Sequence, residues 1–344
     1  MLRSGWPYGW PLEVVVGTSF LWLEITGRCQ LQCVHCYAES GPDGTHGTMT
    51  RRDWVRVLDK ATGLDVEMVQ FIGGEPTMYP GLAGLVEHAL GCGLQVEVFS
   101  NLVHVSAELW AVFSCPGVSL ATSYYSDNPD QHAAVTLRPS YRHTRANIAE
   151  AVRRGIPLRA GVIDLGNGQR AEAAQAELFD LGVRSVGYDR LRQVGRGVRD
   201  REVSVEQLCG HCGDGAAAVS SDGVVWPCVF ARWLPVGNVL EQNLAEILDS
   251  REAHRVRAEL ARAFVARVAV QEGPHRACQP NCNPGDHECN PDCQPNCSPC
   301  NPRCNPGCQP FCNPSPCQPQ CSPRCSPTCD PMQCAPRTCW PPFR

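Results

Sequence analysis

The chain has 344 residues, a formal net charge of −5 and 43% apolar residues, room for one large domain with an appendage or for two ordinary domains. The acidic balance argues against a broad nucleic-acid-binding surface, and no run of about 18 apolar residues marks a membrane span. The first 25 residues carry Glu13, Glu24, Pro7 and Pro11 in place of a basic start and an apolar stretch, which argues against a secretory signal.

From residue 20 onward the apolar pattern alternates between two periods. Residues 20–26 (FLWLEIT) predict a strand. Thr50 followed by Asp53 predicts a helix N-cap, with the helix running to about residue 62. Residues 68–72 predict a short strand stopped by Gly73 and Gly74, and residues 82–90 a helix ending at Gly91. A strand at 95–99, a helix at 107–113 and a strand at 118–123 follow. Residues 142–154 predict a helix closed by Gly155, then come a strand at 158–163, a helix at 171–181 and a strand at 185–188. Six strands with five intervening helices imply an α/β fold of parallel strands, either an open doubly wound sheet or a barrel, complete or partial.

The pattern changes near Glu206. Cys209, Cys212 and Cys228 bracket a hairpin, AVSSDGVVWPC, with Asp222 and Gly223 at its turn, and residues 243–269 predict one or two helices. The last 67 residues hold 15 of the 23 cysteines and 17 prolines, with almost no large apolar side chains. Such a segment cannot offset its own ordering entropy by burial, so only bonds to its sulfurs could order it. Four segments result: an N-terminal extension (1–19), the alternating body (20–200), a small cysteine-bearing region (201–277) and a Cys/Pro-rich tail (278–344).

The strongest chemical signal is Cys29-x3-Cys33-x2-Cys36, directly after the first strand. In a parallel α/β fold that loop lies at the C-terminal edge of the sheet, where active sites sit. Three thiolates in eight residues can hold one face of a cubic iron–sulfur cluster and leave one iron open. A zinc knuckle, or a thiol–disulfide pair at Cys33 and Cys36, is the competing reading, although His35 is poorly placed as a fourth zinc ligand. Cys92 and Cys115 read as ordinary buried thiols.

The motif resembles the signature of the radical S-adenosylmethionine (radical SAM) enzymes, in which an aromatic residue, here Tyr37, commonly stands beside the last cysteine. Gly73-Gly74-Glu75-Pro76 follows the second strand, where that family has a GGE-type motif for the amino group of the methionine moiety. Ser100, Asn101 and Ser123 end the third and fourth strands, where the family has ribose and carboxylate contacts. The resemblance implies a partial (β/α)6 TIM-like barrel. It implies a [4Fe–4S] cluster on Cys29, Cys33 and Cys36 that cleaves S-adenosylmethionine to a 5′-deoxyadenosyl radical, which abstracts hydrogen from a substrate. An electron donor such as flavodoxin or ferredoxin is implied as well. Tyr124, Tyr125, Asp164, Tyr188, Asp189, Arg190 and Arg192 fall at or just after strand ends and are candidates for the barrel mouth.

Cys212-x10-Gly223-x4-Cys228 resembles the opening of the SPASM or twitch domain, which carries auxiliary iron–sulfur clusters. Cys209 offers a further ligand, and a zinc ribbon is the competing reading. The downstream SPASM pattern is C-x2-C-x5-C-x3-C, whereas this chain has Cys278-x3-Cys282-x6-Cys289-x3-Cys293, which leaves the remaining ligands open beyond Cys278 and Cys282. The tail repeats C-x-P-x and reads as a metal-binding wrapper, a low-complexity expansion, or a substrate-like segment. The leading expectation is a radical SAM enzyme acting on a ribosomal peptide, giving a crosslink, an epimer or an oxidised residue. A small-molecule or protein substrate is the first alternative, and a non-catalytic cysteine-rich metal store the second. So many thiols imply a reducing, cytoplasmic setting.

Overall fold

The computed structural model describes residues 18–166 and 168–272. Most of the N-terminal extension and the whole tail, with Cys278 and Cys282, lie outside the described residues.

β1 (Phe20–Thr26), β2 (Met68–Gly73), β3 (Gln95–Phe99), β4 (Val118–Tyr124), β5 (Leu158–Asp164) and β6 (Ser185–Arg190) are all parallel and stand side by side in chain order. Helices α1 (Arg51–Ala61), α2 (Leu82–Gly91), α3 (Ala107–Phe113), α4 (Pro129–Thr136), α5 (Tyr141–Arg153) and α6 (Ala171–Asp180) fill the connections. The sequence-based reading has five helices here, and α4 is the addition. Asn128 caps α4, accepting from the backbone of Asp130 and Gln131, and Pro129 supplies a ready-made first-turn φ.

Strand residues alternate between two environments. Leu21, Leu23, Val69, Phe71, Val96, Val98 and Leu120 are fully buried, or nearly so, in the main core with Trp54, Leu58, Leu85 and Phe113 of the helices. Each such side chain contributes roughly 1.5–3 kcal/mol by leaving water. The intervening positions carry polar groups: Glu24, Gln70, Glu97 and Arg159. Glu97 of β3 is buried and takes a two-pronged bond from Arg159 of β5, at 2.7 and 2.6 Å, and also accepts from Gln70 of β2.

The hairpin forms where expected, as β7 (Ala216–Val219) and β8 (Val224–Trp226), with β9 (Gly237–Asn238) beside it. β7 pairs in parallel with β1, so the sheet continues without a break in the order β6-β5-β4-β3-β2-β1-β7-β8-β9. Two helices follow, α7 (Leu244–Leu248) and α8 (Arg251–Glu272); α7 opens with a capping box from Asn243 and Glu246.

Candidate functional site

The loop after β1 rests on neighbouring backbone. Cys29 N–H donates to Gly41 O (3.0 Å), Gln32 N–H to Thr136 O (3.1 Å) and Val34 N–H to Val135 O (3.0 Å), so the end of α4 is its seat. Arg196 closes it from the other side: its Nε donates to Cys33 O (3.0 Å), its NH2 to Ser40 O (2.5 Å) and its backbone N–H to Cys36 O (3.0 Å). The adjacent Gly195 has φ +57°, and a Cβ there would lie 2.6 Å from Cys36 O and 2.4 Å from Tyr37 O. Only glycine permits that approach.

Cys29 is buried, Cys33 and Cys36 are half-buried, and all three are free thiols. Burial pushes Cys29 up to about 12, with the Glu75 charge and the neighbouring sulfurs adding to it; burial and then Cys36 push Cys33 to about 12. Three thiolates can share this pocket only if a strongly positive centre compensates them. A metal cluster with one iron left unligated by the protein fits this donor set. Leu31 N–H (3.4 Å) and Asn101 Nδ2 (3.6 Å) donate to the Cys29 sulfur.

The turn after β2 packs against the entrance to this loop. Gly73 has φ +129°, and a Cβ on Gly74 would sit 2.2 Å from Arg28 O, so both glycines are demanded by the crossing of the two strand exits. Glu75 is fully buried. Its Oε1 accepts from Thr77 N–H (3.1 Å), Thr77 Oγ1 (2.8 Å) and Ser100 Oγ (2.7 Å), and its Oε2 from Asn101 N–H (2.7 Å). Burial pushes its carboxyl up. No cationic side chain is bonded to it among the described residues, so its charge is available to an incoming cation. Pro76 opens the short turn that brings Thr77 onto Glu75.

Cys29, Glu75, Ser100 and Asn101 thus form one connected network. Ser123 stands apart on β4, beside Tyr125, whose hydroxyl also neighbours Cys33. Tyr37 points its ring at Phe230, 5.0 Å away, with its hydroxyl buried near Glu24. Of the mouth candidates, Tyr124 belongs to the helix side, where its hydroxyl donates to Glu177 of α6 at 2.7 Å. Tyr188 donates to Asp164 (2.6 Å), and Arg192 bonds Asp189 (2.8 Å). Cys92 and Cys115 are half-buried, not buried, because each follows the exposed end of a helix.

The second set of sulfurs also converges. Cys212 Sγ lies 2.8 Å from Cys228 Sγ, and Cys209 accepts a hydrogen bond from Cys212. That bond, with Arg192 nearby, pulls Cys209 down and pushes Cys212 up. Gly223 at the hairpin tip has φ +82°, with Asn238 Oδ1 2.4 Å from where a Cβ would be. The sequence did not point to Arg232, which follows this hairpin. It bonds both oxygens of Glu24 on β1, at 2.8 and 2.6 Å, and lies 4.3 Å over the Trp226 ring.

Residues 23–178 match the model of the radical SAM superfamily, and residues 209–283 match that of the SPASM iron–sulfur cluster-binding domain. The chain carries a radical SAM domain followed by a SPASM domain. It is 36% identical over 101 residues to the PqqA peptide cyclase of Bradyrhizobium diazoefficiens, covering 29% of this chain and 25% of that one. The PqqA peptide cyclase of Xanthomonas campestris (strain B100) is 26% identical over 263 residues, 68% of this chain and 70% of the relative. The GTP 3′,8-cyclase of Streptomyces coelicolor is 30% identical over 143 residues, 39% and 41% of the two chains. With the first of these relatives the match spans a quarter of its length. Among solved structures, Streptococcus suis SuiB bound to its precursor peptide SuiA superposes with a TM-score of 0.60 at 12% identity, over 71% of this chain and 67% of that one. A radical SAM fold is therefore present, with a parallel sheet and a SPASM region after it. No helix of the described residues is long and apolar enough to cross a membrane.

Proposed function

We propose that this radical SAM enzyme modifies a peptide by hydrogen abstraction. The observation that carries the reading is the convergence of Cys29, Cys33 and Cys36 on one sheet edge, beside a buried acid with no cationic partner among the described residues. A [4Fe–4S] cluster bound there would supply the electron that cleaves S-adenosylmethionine to the 5′-deoxyadenosyl radical. The chain's own residues do the positioning. Cys29, Cys33 and Cys36 hold the cluster, and Arg196 fixes the loop that carries them. Glu75 attracts the ammonium of the methionine moiety while tying Ser100 and Asn101 to the same point. Backbone groups of Gly73, Gly74 and Pro76, with Tyr37, Ser100, Asn101 and Ser123, line the place of S-adenosylmethionine. Cys209, Cys212 and Cys228 hold an auxiliary cluster whose further ligands include Cys278 and Cys282. A small reducing protein delivers the electron.

The peptide substrate rests on the relatives that span the barrel and the SPASM region together, the Xanthomonas PqqA peptide cyclase by sequence and SuiB by fold. The match to the GTP cyclase is shorter. The test is turnover of anaerobically reconstituted protein with S-adenosylmethionine, a reductant and a panel of short synthetic peptides. Release of 5′-deoxyadenosine with a mass change in a peptide of the panel is expected. Release of 5′-deoxyadenosine with every peptide unaltered would leave the radical chemistry standing and remove the peptide.

A further inference from the structure

A third metal-ligand set lies away from both cysteine sites. Asp59 near the end of α1, His88 in the last turn of α2 and Cys92 at the C-cap of α2 bring one oxygen, one nitrogen and one sulfur within 4.8 Å of one another. His88 Nε2 is 2.7 Å from Asp59 Oδ1, and Cys92 Sγ donates to the same oxygen at 3.8 Å. His88 and Cys92 are four apart, so one face of α2 presents both.

In a parallel barrel the helices run back against the strands. The C-terminal ends of α1 and α2 therefore lie at the end opposite the loop that carries Cys29, Cys33 and Cys36. Nothing in the proposed chemistry uses these three residues. Their spacing is close to that of ligands around one tetrahedral cation, and Cys/His/carboxylate is a zinc donor set. In the cation-free state the protons of His88 and Cys92 hold the group together, and burial followed by the Asp59 charge pushes the Cys92 thiol up.

We infer that Asp59, His88 and Cys92 form a zinc-type site in which a thiophilic divalent cation cross-braces α1 and α2. Three protein ligands and one water complete the tetrahedron. Binding releases the Cys92 thiol proton to solvent and moves the His88 ring proton from Nε2 to Nδ1, which leaves the thiolate and the neutral imidazole on the metal. The site is separate from the proposed radical chemistry and stands or falls without it.

The test reads Cys92 alone, because the chain holds many other thiols. The full chain, prepared anaerobically, is treated with iodoacetamide with and without Zn²⁺, and alkylation is followed on the peptide that contains Cys92. Zinc is expected to slow Cys92 alkylation about tenfold or more in the wild type. Asp59→Asn and His88→Ala should each lose most of that protection. An equal rate with and without zinc in the wild type would overturn the site. Protection that persists in both variants would equally overturn it, since the cation would then be held by other residues.

Discussion

The two cysteine sites reach the same chemistry by opposite routes. In the first, three cysteines are close in sequence, and the difficulty is to fix a loop with no secondary structure of its own. The end of α4, Arg196 and the close crossing of Gly74 over Arg28 meet that need. In the second, Cys212 and Cys228 are 16 residues apart, and a hairpin with Gly223 at its tip brings their sulfurs to 2.8 Å. The first site borrows its rigidity from distant parts of the chain, whereas the second makes its own and is anchored to the barrel through β7 on β1 and Arg232 on Glu24. Local sequence spacing therefore says which cysteines stand together and little about what supports them.

Five changes would break or sharpen this contrast. Cys33→Ala should abolish S-adenosylmethionine cleavage, by more than the roughly 10–100-fold that loss of an outer-shell partner costs. Cys228→Ala should suppress product formation while leaving part of the cleavage, now uncoupled; equal loss of cleavage in the two variants would contradict separate centres. Arg196→Ala should weaken iron retention in the first site by roughly tenfold, read as iron released to a chelator, and leave the second site's share intact. Arg232→Gln leaves the Glu24 carboxylate buried without its cation, and should cost about 3 kcal/mol in chemical denaturation.

The smallest effect concerns the seat under the first loop. His132 of α4 is buried among Tyr124, Tyr125 and Tyr141, and burial lowers it to about 4. The folded chain then takes up this proton only near pH 4, whereas the unfolded chain takes it up near 6.5. Stability is fully present above pH 6.5 and falls between pH 6.5 and 4, by up to about 1.4 kcal/mol per pH unit. His132→Phe should flatten that part of the curve; an unchanged slope would show that the histidine is not held neutral.

Much of this molecule is readable in its sequence, for definite reasons. The strands of the body are short apolar runs stopped by glycine or by a cap, so β1 to β6 fall where the pattern puts them, with ends shifted by at most two residues. α4 escapes because it has no apolar stripe, although Asn128-Pro129 is a capping pair that could have revealed it. The parallel pairing of β7 with β1 joins segments nearly 200 residues apart, and no local period encodes it. The same holds for Arg196 and Arg232. An arginine between two glycines, as in Gly195-Arg196-Gly197, is the one local hint of a tight backbone approach. The sequence motif pairs Glu75 with a ligand's ammonium; its bonds to Ser100 and Asn101 join strand ends that only the folded sheet brings together.

The most direct test adds S-adenosylmethionine to full-length protein rebuilt with iron and sulfide in the absence of oxygen and then reduced. The account predicts a paramagnetic [4Fe–4S] signal that changes when S-adenosylmethionine is added, followed by release of 5′-deoxyadenosine, with both lost in Cys33→Ala. A wild-type signal that ignores S-adenosylmethionine, with no nucleoside released, would contradict it.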